Sequence, residues 1–525
     1  MNNIRVLDCT LRDGGYCNNW EFGFNNEKKI VKSLIESGVD VVECGLLVNG
    51  NYIKGVSRFT RLKQVEEIIP EDCKNTLFTC LMNYGEVLAK DILPYDGIGV
   101  EGIRVAFHKK DMNEALECCR ELKKKGYKVF VQAMVSLAYS DQEFLEMISK
   151  VNKIEPYAFY IVDSFGMMKR KDMTRLYYIV EHNLSENVVI GFHSHNNLQL
   201  AYSNAQVLAD ICSDRPLIID TSIMGMGRGA GNLNTELFIE YLNEKFEFNY
   251  DVKPILRVID DVISVFYNQN YWGYSLPNYL SATNSVHPNY ALFLSEKNTL
   301  TVEDINNIFL RMEENKKISY DKNYIEKLYL EYMQEGKADK SSIGKLFKEI
   351  KGKKVILIAP GKSCETEHER IEQFFNTNET IAISVNFEYS HIKTDYIFVS
   401  NKKRFRELEN KINKQLIVTS NIAEDINCIK VDYSELLCDV DIVKDNSVMM
   451  LIKLLIKAEV DEIFLVGVDG YSHETSENYA GEHLWLVAGN KTLDDMNEGM
   501  NSVLQQYSKK CKITFITQNK YINIQ

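Results

Sequence analysis

Val188-Val-Ile-Gly-Phe-His193-Ser-His195-Asn-Asn-Leu198 is a β-branched run that meets two histidines and then turns polar. An apolar run of this length, ending in polar or small residues, predicts a strand buried on both faces of a parallel sheet. The pattern recurs upstream at Ile4–Asp8, Val39–Gly45, Thr76–Met82, Gly102–Ala106, Lys128–Val135 and Ala158–Asp163, and downstream at Leu217–Ser222. With Val188–His193 that makes eight strands. Between them lie stretches with apolar residues at helical spacing, among them Asn26–Ser37, Met112–Lys125, Gln142–Lys153, Met173–Leu184 and Leu198–Ala209. Eight βα units in about 250 residues have the size and order of a (β/α)8 TIM barrel, an α/β fold. A doubly wound open sheet is the competing arrangement, and it usually has fewer strands.

The barrel is expected over residues 1–250, and a helical extension over 251–345. The extension includes Lys253–Asn268, an aromatic turn from Tyr271 to Tyr279, and helices near 302–313 and 322–334. Gln334–Ser342 is polar and reads as a link. A second, smaller α/β pattern fills 350–525. Its strands are expected at Val355–Ala359, Thr380–Asn386, Tyr396–Ser400, Gln415–Thr419, Glu462–Val468 and Lys512–Thr517, with helices at 366–375, 446–458 and 491–508.

Of the 525 residues, 45% are hydrophobic and 26% charged, the balance of an ordinary globular chain. A net charge of -13 disfavours a general binder of nucleic acid or of a membrane surface. No apolar run is long enough to span a membrane, and the first residues lack the apolar core of a signal peptide. Twelve cysteines include no C-x-x-C pair, which suggests reduced thiols and a cytoplasmic protein.

In a barrel the chemistry stands at the carboxyl ends of the strands. The first strand is followed by Cys-Thr-Leu-Arg12-Asp13-Gly-Gly, the seventh ends in His193-Ser-His195, and the eighth leads into Gly225-Met-Gly-Arg-Gly-Ala-Gly-Asn232. Two imidazoles at i and i+2 near a strand end point to one side, and one carboxylate completes a set of two nitrogens and an oxygen. Such a set suits a divalent ion with open positions: Mn²⁺ foremost, with Mg²⁺, Co²⁺ or Fe²⁺ as alternatives. The other reading makes His193 and His195 loop histidines bonded to backbone; the barrel context favours the metal.

These three motifs, D-C-T-L-R-D-G, H-S-H-N-N-L and G-M-G-R-G-A-G-N, resemble the metallolyase superfamily of barrel enzymes. That superfamily includes 4-hydroxy-2-oxovalerate aldolase, hydroxymethylglutaryl-CoA lyase and isopropylmalate synthase. The resemblance covers roughly residues 1–290, and H-x-H-N-N-L is most similar to the aldolase branch. It implies Asp13, His193 and His195 as metal ligands, with Asn232 a fourth candidate. It also implies that Arg12 faces the bound 2-oxo acid and holds its enolate oxygen; a salt bridge at the barrel mouth is the other reading. Asp163-Ser164 resembles the aldolases' D-S pair, and leaves Ser164 as either a hydrogen-bond donor to the substrate carboxylate or a helix cap.

Two departures matter. The aldolases carry an acid/base His where this chain has Tyr16, and a phenol is a poor base near neutral pH. Either Tyr16 is the acid, or a metal-bound hydroxide is the base, or the acceptor differs. The lyase branch carries a catalytic Cys in the loop after strand eight, and residues 225–232 contain none. The aromatic cluster Tyr271–Tyr279 suits either a sugar-like acceptor or a helix-packing seam.

In the second domain Val355-Ile-Leu-Ile-Ala-Pro-Gly361-Lys-Ser363 reads as a strand, a turn and a helix start. Such a turn can offer N–H groups to a phosphate, or be a plain βα turn. With the strands ending at Asn386, Asn401 and Asp469 it resembles a Rossmann-like group that includes bacterial sialyltransferases. That resemblance implies a nucleotide or nucleotide-sugar pocket at Gly361, Ser363, Asn386 and Asp469, with His483 either a base or a surface residue. The expected activity is a metal-dependent aldolase joining or cleaving a pyruvate-type 2-oxo acid and an aldehyde, the latter sugar-derived and tied to surface glycan biosynthesis. A Claisen-type acyl-CoA enzyme of the same superfamily and a non-catalytic scaffold are the alternatives. The helices after the barrel are expected to support a homodimer.

Overall fold

Ile4–Asp8 pairs in parallel with both Val41–Leu47 and Leu217–Thr221, and these two pairings close a barrel. Its strands are β1 (Ile4–Asp8), β2 (Val41–Leu47), β3 (Leu77–Asn83), β4 (Gly102–Phe107), β5 (Lys128–Ala133), β6 (Ala158–Asp163), β7 (Val189–Ser194) and β8 (Leu217–Thr221). A two-residue ladder, Arg58–Phe59, adds to the outer end of β2. The computed structural model describes residues 3–212, 215–297, 300–336, 338–408, 415–422, 428–481, 484 and 489–521. His483 lies outside the described residues.

Every residue of β2, β4, β6, β7 and β8 is buried, which is why these strands read as unbroken apolar runs. One set of side chains, including Leu7, Val41, Phe130, Tyr160 and Ile218, fills the barrel. The other set, including Val6, Val42, Val105, Ile161 and Ile219, packs under the surrounding helices. Each such buried aliphatic side chain contributes about 1.5–3 kcal/mol. The helices are α1 (Phe24–Glu36), α2 (Met112–Lys124), α3 (Asp141–Asn152), α4 (Arg170–Asn183), α5 (Ala201–Ile211) and α6 (Thr235–Phe246). Ser140 opens α3 with a capping box completed by Glu143. The β2–β3 and β3–β4 crossovers carry only short 3-10 turns, Leu62–Ile68 and Ala89–Asp91. Among the described residues the barrel therefore has eight strands, five full crossover helices and one more helix, α6, after the last strand.

The chain divides into two compact units, Met1–Leu292 with Lys317–Ser319, and Phe293–Lys316 with Tyr320–Gln525. The helices of 251–345 are thus shared between the units rather than forming a body of their own. Gln334–Ser342 is not a free link. Gly336 N–H donates to the Ser420 carbonyl at 3.1 Å, Asp339 N–H to that of Lys430 at 3.0 Å, and Asp339 caps the helix Lys340–Ile350. Gln334 and Asp339 are helix caps, which composition does not separate from linker residues.

The second unit is built on seven parallel strands: β9 (Lys354–Ile358), β10 (Ile381–Val385), β11 (Tyr396–Val399), β12 (Gln415–Thr419), β13 (Ile429–Val431), β14 (Glu462–Val466) and β15 (Lys512–Phe515). Their order is β13-β12-β11-β10-β9-β14-β15, so the winding direction reverses between β9 and β14. Such a reversal opens a crevice at the carboxyl edge of the sheet.

Candidate metal centre

The loops after β1, β7 and β8 are bound to one another by the residues of the three motifs. Asn196 N–H donates to the Gly231 carbonyl at 2.8 Å, and Asn232 N–H to that of Gly225 at 2.9 Å. The Asn197 Oδ1 accepts from Ala230 N–H at 2.9 Å. Asn196 and Asn197 of H-S-H-N-N-L therefore hold the glycine loop in place. Gly227 passes so close that a Cβ there would lie 2.2 Å from Asn232 Nδ2 and 2.6 Å from Asp13 Oδ2. Only glycine fits there without displacing the site.

This bracing brings Asp13, His193 and His195 together, with one ligand atom of each within 4.8 Å of the others, and all three buried. The two imidazole rings stand edge to face, 5.2 Å between centroids. Asn232 joins them: its Nδ2 donates to Asp13 Oδ2 at 2.8 Å. Arg12 donates from Nε to Glu43 Oε2 at 2.7 Å and from Nη1 to Asp13 Oδ1. The salt-bridge reading of Arg12 is thus realised, while Nη2 makes none of the hydrogen bonds seen among the described residues. Burial raises the Asp13 carboxyl, but Arg12 and the two imidazoles outweigh it and hold the group well below the usual carboxylate range. Burial pulls His195 down to about 4 against the pull of Asp13, so its ring is neutral at pH 7.

Beneath the cluster lies a charged floor that the strand pattern did not flag. Arg104 on β4 pairs with Glu43 of β2 at 3.0 Å and with Asp220 of β8. Asp220 Oδ2 faces His193 Nδ1 at 2.9 Å. A proton on Nδ1 leaves Nε2 as the open lone pair. The signal was present: Glu43, Arg104 and Asp220 are charges inside otherwise apolar strands, and such charges are buried only when paired. Asp13, Glu43 and Asp220 carry three negative charges and Arg12 and Arg104 two positive, so the cluster is net -1.

Tyr16 stands at the rim, 47% exposed, its ring against Trp20 and under the Arg228 guanidinium. Burial and the Asp13 charge push its phenol above the ordinary value. Arg228 also meets His287, which the sequence reading passed over; its Nε2 lies 2.6 Å from Arg228 Nη2. Ser164 is not a helix cap. The N-cap of α4 is Lys169, and Ser164 Oγ accepts from Val135 N–H at 2.9 Å. Asp163 accepts from the N–H groups of Met167 and Met168, and burial pushes it up to about 6. Cys17 lies against the glycine loop, Sγ 3.3 Å from the Gly227 carbonyl, and burial pushes it up to about 12, so it is a thiol. The aromatic turn divides: Trp272 is buried and donates to the Met224 carbonyl at 2.9 Å, whereas Tyr271 and Tyr274 are exposed.

In the second unit the turn after β9 differs from a phosphate cradle. Ser363 N–H donates to Asp469 Oδ2 at 2.8 Å, and Ser363 Oγ to Asp469 Oδ1. Gly361 N–H is bonded to the Gly467 carbonyl and Cys364 N–H to that of Gly361. A carboxylate of the protein already occupies the place an anion would take. Asn386 sits at the end of β10 in the left-handed region, φ 63°, and its Nδ2 donates to Ser447 Oγ at 2.8 Å.

Residues 3–262 match the HMGL-like family. Over 266 residues the chain is 29% identical to a 4-hydroxy-2-oxovalerate aldolase of Geobacillus genomosp. 3, covering 50% of this chain and 77% of the relative. It is 28% identical over 265 residues to the same-named enzyme of Pelotomaculum thermopropionicum, covering 50% of this chain and 76% of that one. A solved N-terminal domain of a candidate aldolase from Bacteroides vulgatus superposes with a TM-score of 0.51 at 28% identity, covering 56% of this chain and 97% of that one. These matches span about half of the chain, and the sialyltransferase likeness of residues 350–525 stays a resemblance. The closed barrel, the three braced loops and these matches agree: residues 3–262 are similar to the HMGL-like family.

Proposed function

We propose that residues 3–262 are a divalent-metal-dependent aldolase, a carbon–carbon lyase that joins or cleaves a pyruvate-type 2-oxo acid and an aldehyde. The convergence of Asp13, His193 and His195 beside Arg12 carries this reading. The residues fit a cation. His195 Nδ1 and Asn232 Oδ1 are buried without a hydrogen-bond partner, a costly state that a cation relieves. Two imidazoles with oxygen donors favour Mn²⁺ over Mg²⁺, with Co²⁺ and Fe²⁺ as alternatives. Such an ion supplies Lewis-acid polarisation of the 2-oxo group.

The chain's own residues do the rest. A divalent ion turns the net -1 cluster to +1, which matches the carboxylate of a 2-oxo acid. Arg12, held rigid by Glu43 and Asp13, offers Nη2 where the enolate oxygen gains charge. Tyr16 keeps its proton at neutral pH and serves as the acid toward the aldehyde oxygen. Ser164, whose oxygen already accepts from Val135, turns its hydroxyl hydrogen to the substrate carboxylate.

The aldehyde is sugar-derived in this reading, with a role in surface glycan biosynthesis. Asn270 donates to the Cys17 carbonyl and Trp272 to that of Met224, which sets the segment bearing Tyr271 and Tyr274 beside the loops after β1 and β8. Exposed aromatic faces there suit a polyhydroxylated acceptor. The test is a panel of 4-hydroxy-2-oxo acids, including sugar-derived ones, assayed for pyruvate release with Mn²⁺. Release from the sugar-derived members supports the reading; turnover of acyl-CoA esters in its place contradicts it. The proposal includes a homodimer through the helices after the barrel, which a monomer by light scattering would remove. No helix among the described residues is long and apolar enough to cross a membrane.

A further inference from the structure

The Arg228 guanidinium, on the loop after β8, makes no ion pair among the described residues. It is half-buried at the barrel mouth. Its Nη2 donates to His287 Nε2 at 2.6 Å, and its carbon lies 5.6 Å from the centre of the Tyr16 ring. Nε and Nη1 make none of the hydrogen bonds seen among the described residues, so most of its N–H donors are open. An arginine drawn partly out of water is ordinarily paired, and its planar fork matches a carboxylate or a phosphate. The fork is also held in place. Asn197 braces the glycine loop, and Arg228 N–H donates to Asp13 Oδ2 at 3.3 Å.

Its surroundings on this side of the mouth are basic or neutral. The His287 ring packs edge to face on Phe165, which follows β6, 5.7 Å between centroids. His287 thereby bridges the loops after β6 and β8. Burial pushes its imidazole down to about 3, and the charges of Arg228 and His108 push the same way. His108 directly follows β4. Besides Asp13, the carboxylate that acts on Tyr16 is Glu86, which is exposed and accepts from Asn83. The charge of Arg228 is also additional to that of the cluster below it. With a divalent ion that cluster is positive by one charge, which the carboxylate of a 2-oxo acid cancels. The Arg228 charge is then left for the second substrate.

We propose that Arg228 selects an aldehyde that carries an anionic group, a carboxylate or a phosphate, on the chain beyond its carbonyl. This rests on the aldolase reading above and narrows its substrate class. Tyr16 is the acid toward the aldehyde oxygen, and the guanidinium lies over the Tyr16 ring. A chain that begins at an aldehyde carbon beside Tyr16 therefore meets Arg228 next. The anion takes no part in bond making; it anchors the far end of the substrate. His287 is a positioning residue that aims the guanidinium through Nη2.

The test is pyruvate release by the full chain with Mn²⁺ from two matched pairs of substrates. One pair is 4-hydroxy-2-oxovalerate and 4-hydroxy-2-oxoglutarate, which differ by a terminal methyl against a carboxylate. The other is 2-oxo-3-deoxygluconate and its 6-phosphate. At least one anionic member is expected to show a kcat/KM about tenfold or more above its neutral partner, and the pair that shows it names the anion. Arg228→Ala, checked by thermal melting, should erase that preference by raising KM for the anionic member, and Arg228→Lys should restore part of it. His287→Leu should raise the same KM without lowering kcat. Equal turnover within both pairs, a preference for the neutral members, or a preference that survives Arg228→Ala would overturn the proposal. Deuterium exchange into pyruvate, run on the same preparation, separates two failures. Exchange without a preference for the anionic members overturns this proposal alone. Absence of exchange with every divalent metal overturns the aldolase reading and this proposal with it.

Discussion

His193 Nδ1 lies 2.9 Å from Asp220 Oδ2, so a residue of β8 sets which imidazole nitrogen of β7 faces Asp13 and His195. Asp220 also pairs with Arg104, and through it joins Glu43 and Arg12. The orientation of His193 and the balance of buried charge therefore depend on one carboxylate. Asp220→Asn should weaken Mn²⁺ binding about 10–100-fold, the usual effect of losing a carboxylate behind a ligating histidine. Calorimetric titration of Mn²⁺ measures it; unchanged affinity would show that Asp220 serves only the Arg104 ion pair.

Arg12→Lys separates charge from geometry. Lysine keeps the positive charge but cannot bridge Glu43 and Asp13 while presenting a further donor. Proton exchange at the pyruvate methyl should fall about 100-fold, the order seen when a donor to a developing oxyanion is lost. Mn²⁺ affinity should change less than about tenfold. If affinity and exchange collapse together, Arg12 acts by holding Asp13.

Tyr16→Phe should spare one half of the reaction. The phenol is assigned to the aldehyde oxygen, so exchange into pyruvate should persist. Cleavage of a 4-hydroxy-2-oxo acid should slow by about 100-fold or more, the scale of a general acid. Equal loss in both assays would place Tyr16 at enolate formation.

The expected strands of both units were legible because most are buried on both faces, and their observed limits fall within two residues of those expected. Ile429–Val431 escaped because a three-residue edge strand has no pattern to read. The clustering of Asp13, His193 and His195 was legible because chemistry collects at strand ends. Its charged floor was not read, although Glu43, Arg104 and Asp220 interrupt apolar strands in plain view. The crossovers without helices and the tie of Ser164 to Val135 depend on tertiary contacts that no local spacing encodes. The tie of the turn at Gly361–Ser363 to Asp469 was not legible for a related reason: the carboxylate comes from more than a hundred residues away.

Glu27 on α1 gives a pH-dependent test of the barrel's core. It is fully buried, both carboxylate oxygens lack a partner, and burial pushes it from 4.5 up to about 7. The folded state therefore holds its proton more tightly than the unfolded chain. That contribution is complete below the ordinary glutamate range and is lost as pH rises through about 7. Glu27→Met should stabilise the protein by about 1–3 kcal/mol at pH 8, with a smaller gain at pH 5.5. Thermal melts at the two pH values check it; a gain independent of pH would mean that the carboxylate is solvated.

Asp13, His193, His195 and Arg12 are proposed as a metal-dependent enolising site. Solvent deuterium exchange into the pyruvate methyl group, followed by NMR, tests it without knowledge of the aldehyde. The protein is compared with and without Mn²⁺, and with His195→Ala. Exchange that requires the metal and falls to background in His195→Ala is the predicted result. Exchange that is absent with every divalent metal, or that survives unchanged in His195→Ala, would contradict the account.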